Sequence, residues 1–203
     1  MKTLLLLAVS MVVLRVPGSA APCMSGTLAS YLALGSAGCT LGNLQVAGFA
    51  YQAKAGGGAP EITADQINVT PVLAPAGSFA LQFAAPWSVQ AGQSQSSGIT
   101  YRVLTSTVSR PVQQLRLDGS DFHAGIFSSV VVSETVATPA ATNNLQVYLK
   151  CMEVCRSQTS ATLDLNTGAP MLLVMDRVTL QARQGPASLA GFTDWLIVCI
   201  PCV

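Results

Sequence analysis

From Leu44 onward the chain is patterned in period two. Ile99, Tyr101, Val103, Thr105 and Thr107 alternate with their neighbours, as do Leu115 and Leu117, and then Ile126, Ser128, Val130, Val132 and Val136. That period turns one set of side chains to a buried face of a strand and the other set to water. Further segments rich in β-branched and aromatic residues cover 44–51, 67–72, 79–83, 145–151 and 171–181. Turn chemistry separates them at Gly56-Gly57-Gly58, Pro75-Ala76-Gly77, Ala91-Gly92, Asp118-Gly119, Asn143-Asn144 and Asn166-Thr167-Gly168. About eight or nine short strands without an intervening helical pattern predict an all-β chain, a single β-sandwich or jelly-roll-like domain. One short N-terminal helix is expected, with Leu28, Tyr31 and Leu32 on one face and Gly35 as its stop.

The segment before this domain has a different character. Lys2 precedes the apolar run Leu4 to Leu14, and small residues follow at Gly18-Ser19-Ala20-Ala21. A charged start, an apolar middle and a small-residue cleavage site make 1–20 a signal peptide and 21–203 the single β-rich domain. Arg15 interrupts the apolar run before it reaches the roughly 20 residues that span a bilayer. Export implies an oxidising compartment, so Cys23, Cys39, Cys151, Cys155, Cys199 and Cys202 are expected to be disulfide-bonded. Cys23 and Cys39 flank the expected helix and are predicted to pair. Cys151 and Cys155 can pair only if Met152-Glu153-Val154 forms a turn, because four extended residues span about 13 Å. Three connectivities therefore remain open among the last four cysteines.

The charge balance excludes several function classes. The chain has 10 Lys and Arg against 9 Asp and Glu, and removal of Lys2 and Arg15 leaves eight against nine, a net charge of −1. No electrostatic footprint for nucleic acid or an anionic membrane is present. With no other span-length apolar segment, the processed chain is expected to be free of the membrane and extracellular.

Catalytic signatures are sparse. His123 is the only histidine, in Asp118-Gly119-Ser120-Asp121-Phe122-His123, a segment that reads first as a turn. No Gly-x-Ser-x-Gly elbow occurs. Cys199-Ile200-Pro201-Cys202 has redox-motif spacing but lacks the helix that lowers the thiol pKa. Zinc on Cys151, Cys155, Cys199 and Cys202 conflicts with an oxidising setting, and no metal or cofactor is expected. Glu61, Asp65, Glu134, Glu153, Asp164, Asp176 and Asp194 are scattered singly, and Glu134 on its alternating strand is expected to be solvated. Trp87 is a candidate stacking platform for a sugar ring, set against a core role between strands. Asn68-Val69-Thr70 forms a glycosylation sequon.

The segment from Cys23 to Gly42, CMSGTLASYLALGSAGCTLG, resembles the opening of secreted bacterial proteins of the PEP-CTERM, exosortase-sorted type. Phe83-Ala84-Ala85-Pro86-Trp87-Ser88-Val89 and Ser128 to Val136 are similar as well. The resemblance implies bacterial export and a place at the cell surface or in extracellular matrix. It brings no catalytic residues, and this chain ends without the Pro-Glu-Pro, transmembrane and basic features of the sorting tail. The expected function is an exported, non-catalytic β-sandwich protein associated with the surface or with extracellular polysaccharide. A glycan-binding module using Trp87 and a hydrolase with paired carboxylates are the alternatives.

Overall fold

The computed structural model describes residues 20–74, 77–105 and 111–198, apart from the side chains of 166 and 167. The expected signal peptide, Thr107, Cys199 and Cys202 lie outside the described residues. What is described is an all-β sandwich of two antiparallel seven-stranded sheets with one short α-helix and a single 3-10 turn at Ala64–Gln66.

The first sheet runs, in spatial order, β11 (Cys155–Gln158), β10 (Thr142–Cys151), β9 (Ser128–Ala137), β13 (Met171–Ala182), β6 (Ser94–Thr105), β3 (Leu44–Gly56) and β2 (Cys39–Leu41). The second runs β1 (Gly26–Thr27), β4 (Asn68–Ala74), β5 (Ser78–Val89), β14 (Ala187–Val198), β7 (Val112–Ser120) and β12 (Ser160–Ala169), with β8 (His123–Ala124) pairing β14 off the main path. Several strands are 12 or 13 residues long, longer than the sequence segments implied. The helix α1 (Leu28–Ala33) lies where the apolar face predicted it, with Leu28 and Tyr31 buried and Gly35 in the left-handed region at φ 57°. Thr27 caps it by accepting the Ser30 backbone N–H through its hydroxyl.

Alternation builds the interior. Val130, Val132 and Val136 from β9, Ile99, Tyr101 and Val103 from β6, and Leu115 and Leu117 from β7 all point inward. An aromatic chain crosses between the layers. Tyr31 meets Phe49 edge-on at 5.1 Å, Phe49 stacks on Tyr101 at 5.3 Å, and Tyr101 lies 6.2 Å from Phe83. Phe83 then stacks on Phe192 at 5.0 Å, and Phe192 meets Trp87 at 5.9 Å. Such pairs add roughly 0.5–1.5 kcal/mol each beyond burial.

Two strands change parity midway. In β3 the register shifts between Ala47 and Ala50, and Gly48 adopts φ 65°. Inward positions move there from Leu44 and Val46 to Phe49 and Tyr51. In β14 the register shifts between Leu189 and Gly191, which moves the inward set from Ala187 and Leu189 to Phe192, Asp194 and Leu196. A β-bulge has this effect because one extra residue in a period-two strand reverses every side chain after it.

Cys23 and Cys39 form the predicted disulfide, joining the segment before α1 to β2. Cys151 and Cys155 form a second, across the turn at 152–154 between β10 and β11, the condition on which their pairing depended. Three turn assignments need correction. Asp118-Gly119 continues β7, and the reversal comes at Asp121, at φ 51°. Asn143-Asn144 lies inside β10, because Thr138 closes the preceding turn by bonding Ala140 and Ala141. Asn166-Thr167-Gly168 belongs to an irregular stretch within β12, where the register shifts between Asp164 and Ala169.

Candidate functional site

Two features hold functional chemistry: a cluster of carboxyls inside the sandwich and a trough on the outside of the first sheet.

The cluster arises from register and parity. Glu134 on β9 and Asp176 on β13 are ladder partners, each on the inward parity of its strand. The β14 bulge turns Asp194 toward them from the opposite sheet. One carboxylate oxygen from each of the three lies within 4.8 Å of the others. Their side chains are sealed from solvent, at 0%, 3% and 1% exposure for Glu134, Asp176 and Asp194. The expectation that Glu134 is solvated is corrected here: strand parity outweighs its charge and places it among Val130, Val132 and Val136. Tyr101 on β6 donates its hydroxyl to Asp194 Oδ2 at 2.8 Å.

Burial dominates the electrostatics. Desolvation lifts Glu134 well above the ordinary carboxyl range, and the nearby Asp194 lifts it further. Asp176 is also raised well above that range, by desolvation first and then by Asp194 and Glu134. Asp194 rises to about 7 through burial, an effect lessened by hydrogen bonding with Asp176 and Tyr101. Tyr101 is pushed up by burial and by the three acids around it. Such an arrangement can share protons or bind a hard cation, and among the described residues these three form the group able to hold a metal. A carbohydrate chain has no access to them.

The outer face of the first sheet is open and polar. Gln52, Gly98, Arg177, Ser133 and Gln146 are successive register neighbours across β3, β6, β13, β9 and β10. Ala50, Thr100, Met175, Thr135 and Asn144 form the next row. Gly98 contributes no side chain at the centre, and a trough of about 340 Å³ lies there, lined by Gln52, Thr100, Ser133, Thr135 and Arg177 among others. Every charged side chain on the outward parity of these strands is a cation: Lys54, Arg102, Arg177 and Lys150, all exposed. The two acids of those strands, Glu134 and Asp176, point the other way.

The other candidates from the sequence fall elsewhere. Of the two roles weighed for Trp87, stacking platform and core, the structure gives the core: it is 1% exposed, and its indole N–H donates to Ser97 Oγ at 3.0 Å. Ser97 also bonds the Tyr51 hydroxyl at 3.1 Å, so Trp87 belongs to a buried network. The second tryptophan, Trp195, takes the outward parity of β14, with the Arg116 guanidinium 4.8 Å from its ring. His123 is exposed on β8, while Ser120 donates to the Gly191 carbonyl at 3.1 Å, so the two form no catalytic pair. Glu61, Asp65, Glu153 and Asp164 are exposed. Asn68 of the sequon is exposed at the start of β4. Among the described residues no helix is long and apolar enough to cross a membrane.

The sequence held a signal for the cluster that residue type concealed. Glu134 shares parity with Val130, Val132 and Val136 of β9, and Asp176 shares it with Val174 and Val178 of β13. Asp194 shares parity with Leu196 and Val198.

No family model and no curated protein matches the chain. Among solved structures, the carbohydrate-binding module TmCBM61 in complex with β-1,4-galactotriose is similar at 12% identity and TM-score 0.33, covering 71% of this chain and 86% of that one. The family GH12 endoglucanase 3 of Trichoderma harzianum is similar at 7% identity and TM-score 0.23, over 71% of this chain and 96% of that one. A mutant of the family 29 carbohydrate-binding module CBM29-2 matches at 13% identity and TM-score 0.20, over 70% and 91%. All three scores lie below 0.5, and the likeness transfers neither ligand nor activity to this chain.

Proposed function

We propose that this chain is an exported, non-catalytic binding protein whose outer first-sheet face takes an anionic polysaccharide. The observation that carries the reading is the composition of that face: Lys54, Arg102 and Arg177 are the charged side chains that β3, β6 and β13 turn outward, on the strands that form a trough lined with amide and hydroxyl groups. Guanidinium groups bind carboxylates in bidentate fashion, and amides and hydroxyls suit sugar hydroxyls. A chain with nearly balanced charge gains a positive surface only by sorting its charges between faces, and the inward turn of Glu134 and Asp176 does so here. Support for a non-catalytic role comes from the same sorting. The acids that converge are sealed in the core, and the two acids on the strands of the trough, Glu134 and Asp176, turn inward, away from any chain lying across that face. The two disulfides suit an extracellular setting, as does the surface or matrix association inferred from the sequence.

Affinity electrophoresis in gels containing polygalacturonate or a neutral β-glucan tests the reading. Retardation by polygalacturonate, weakened by Arg177→Ala and by added salt, is the expected result. Equal retardation by the neutral polymer, or none by either, contradicts it.

A further inference from the structure

Acidic residues brought together on a surface are common and carry no message; this cluster differs in its enclosure. With the three carboxylates ionised, both oxygens of Glu134, both of Asp176 and Oδ1 of Asp194 are buried without a hydrogen-bond donor among the described residues. Glu134 is the most telling member, since it is 0% exposed, wholly unpartnered, and aimed at the Asp176 and Asp194 carboxyls. Buried carboxylates are costly unless something compensates them, and orphaned ones call for a proton, a water or an ion.

The geometry favours an ion. Three atoms no more than 4.8 Å apart share a centre within about 2.8 Å of each, close to the roughly 2.3–2.6 Å at which calcium takes oxygen ligands. The donor set is all oxygen, one converging carboxylate oxygen from each of the three residues, with the Tyr101 hydroxyl on Asp194 Oδ2 beside them. Zinc or copper would be better served by imidazole or thiolate, but His123 is exposed on β8 and the described cysteines are in disulfides. Magnesium keeps several of its waters, which a packed interior accommodates poorly. We infer that Glu134, Asp176 and Asp194 together bind one calcium ion between the two sheets. Two ligands come from one sheet and the third from the other, so the ion ties the layers together and is captured as the chain folds. Its function is structural, and it stands independently of the polysaccharide reading.

The test begins with the wild-type protein folded in millimolar calcium and then dialysed against metal-free buffer. Elemental analysis should find about one calcium per chain. Protein unfolded in chelator and refolded without metal should melt lower, by on the order of 5 °C or more, and regain the difference when refolded with calcium. Glu134→Gln and Asp176→Asn should abolish both the stoichiometric calcium and the calcium-dependent shift. Should either variant fail to fold, the wild-type metal content and melting shift decide the matter. Wild-type protein that retains no calcium and melts at one temperature under both conditions overturns the inference, as does retention of magnesium in preference to calcium.

Discussion

Glu134 and Asp176 face each other as ladder partners on β9 and β13, two carboxyls on adjacent strands directed into the same dry interior. Like charges in that relationship oppose pairing, so the sandwich must neutralise them. Without a cation, protons do so. The groups involved are Glu134, Asp176 and Asp194, with the Tyr101 hydroxyl against Asp194.

Cation-free protein should therefore lose stability as pH rises. In the unfolded chain these carboxyls release their protons at about pH 4, whereas in the fold all three hold them to higher pH, Asp194 to about 7. The folded state binds more protons above pH 4, so the stabilising contribution is complete below that value and disappears as pH rises through the folded values. Urea unfolding in chelator from pH 4 to 8 should show a falling midpoint. A midpoint that rises over that range would contradict the protonated cluster.

Tyr101→Phe keeps the ring between Phe49 and Phe83 and removes only the donor to Asp194 Oδ2. The expected cost is about 1–3 kcal/mol by denaturant unfolding, the penalty for leaving a buried acceptor unpaired. Tyr101→Ala should cost more, about 3–5 kcal/mol, because it also opens a cavity in the aromatic chain.

Gly191→Ala probes the bulge that aims Asp194. A Cβ at Gly191 would lie 2.6 Å from the Phe83 carbonyl oxygen, a backbone atom that can move only with β5. Destabilisation of about 1–3 kcal/mol is expected in thermal or chemical unfolding. A neutral result would mean that β5 and β14 can separate without cost at that point.

Much of the fold was legible in the sequence because it follows from period two. Ile99, Tyr101 and Val103, or Val130, Val132 and Val136, declare a buried face, and Leu28 and Tyr31 declare the helix. The site was not legible, for two physical reasons. Glu134 occupies an inward position that hydrophobicity alone assigns to a valine, so the charge suggested water where the strand dictates burial. In β14 the inward parity of Ala187 and Leu189, continued without a bulge, would turn Asp194 outward and Trp195 inward. The same parity places the two tryptophans: Trp87 shares it with the inward Leu81, Phe83 and Val89, and Trp195 follows the bulge to an outward position. The cationic face is invisible to net charge, since it appears only once the strands sort their acids inward.

The two disulfides should differ in weight. Cys23 and Cys39 are 16 residues apart and Cys151 and Cys155 are 4 apart, so the first closes the longer loop. Chain entropy gives about 3 kcal/mol for the first and about 2 for the second. Cys23→Ser with Cys39→Ser should therefore lower the urea midpoint more than the pair Cys151→Ser with Cys155→Ser. The reverse order would show that the β10–β11 turn depends on its bridge.

The most direct test of the polysaccharide face uses Gly98, the floor of the trough. A Cβ there would make only ordinary contacts, 3.8 Å to the Gln52 carbonyl oxygen and 3.9 Å to that of Asp176. Gly98→Val should fold normally, since a β-branched residue suits a strand, yet it fills the space between Gln52 and Arg177. Titration calorimetry with oligogalacturonate, on wild type and Gly98→Val side by side, should show binding to the first and at least a tenfold weaker interaction with the second at unchanged melting temperature. Equal affinity for both proteins, or none for the wild type, would contradict the account.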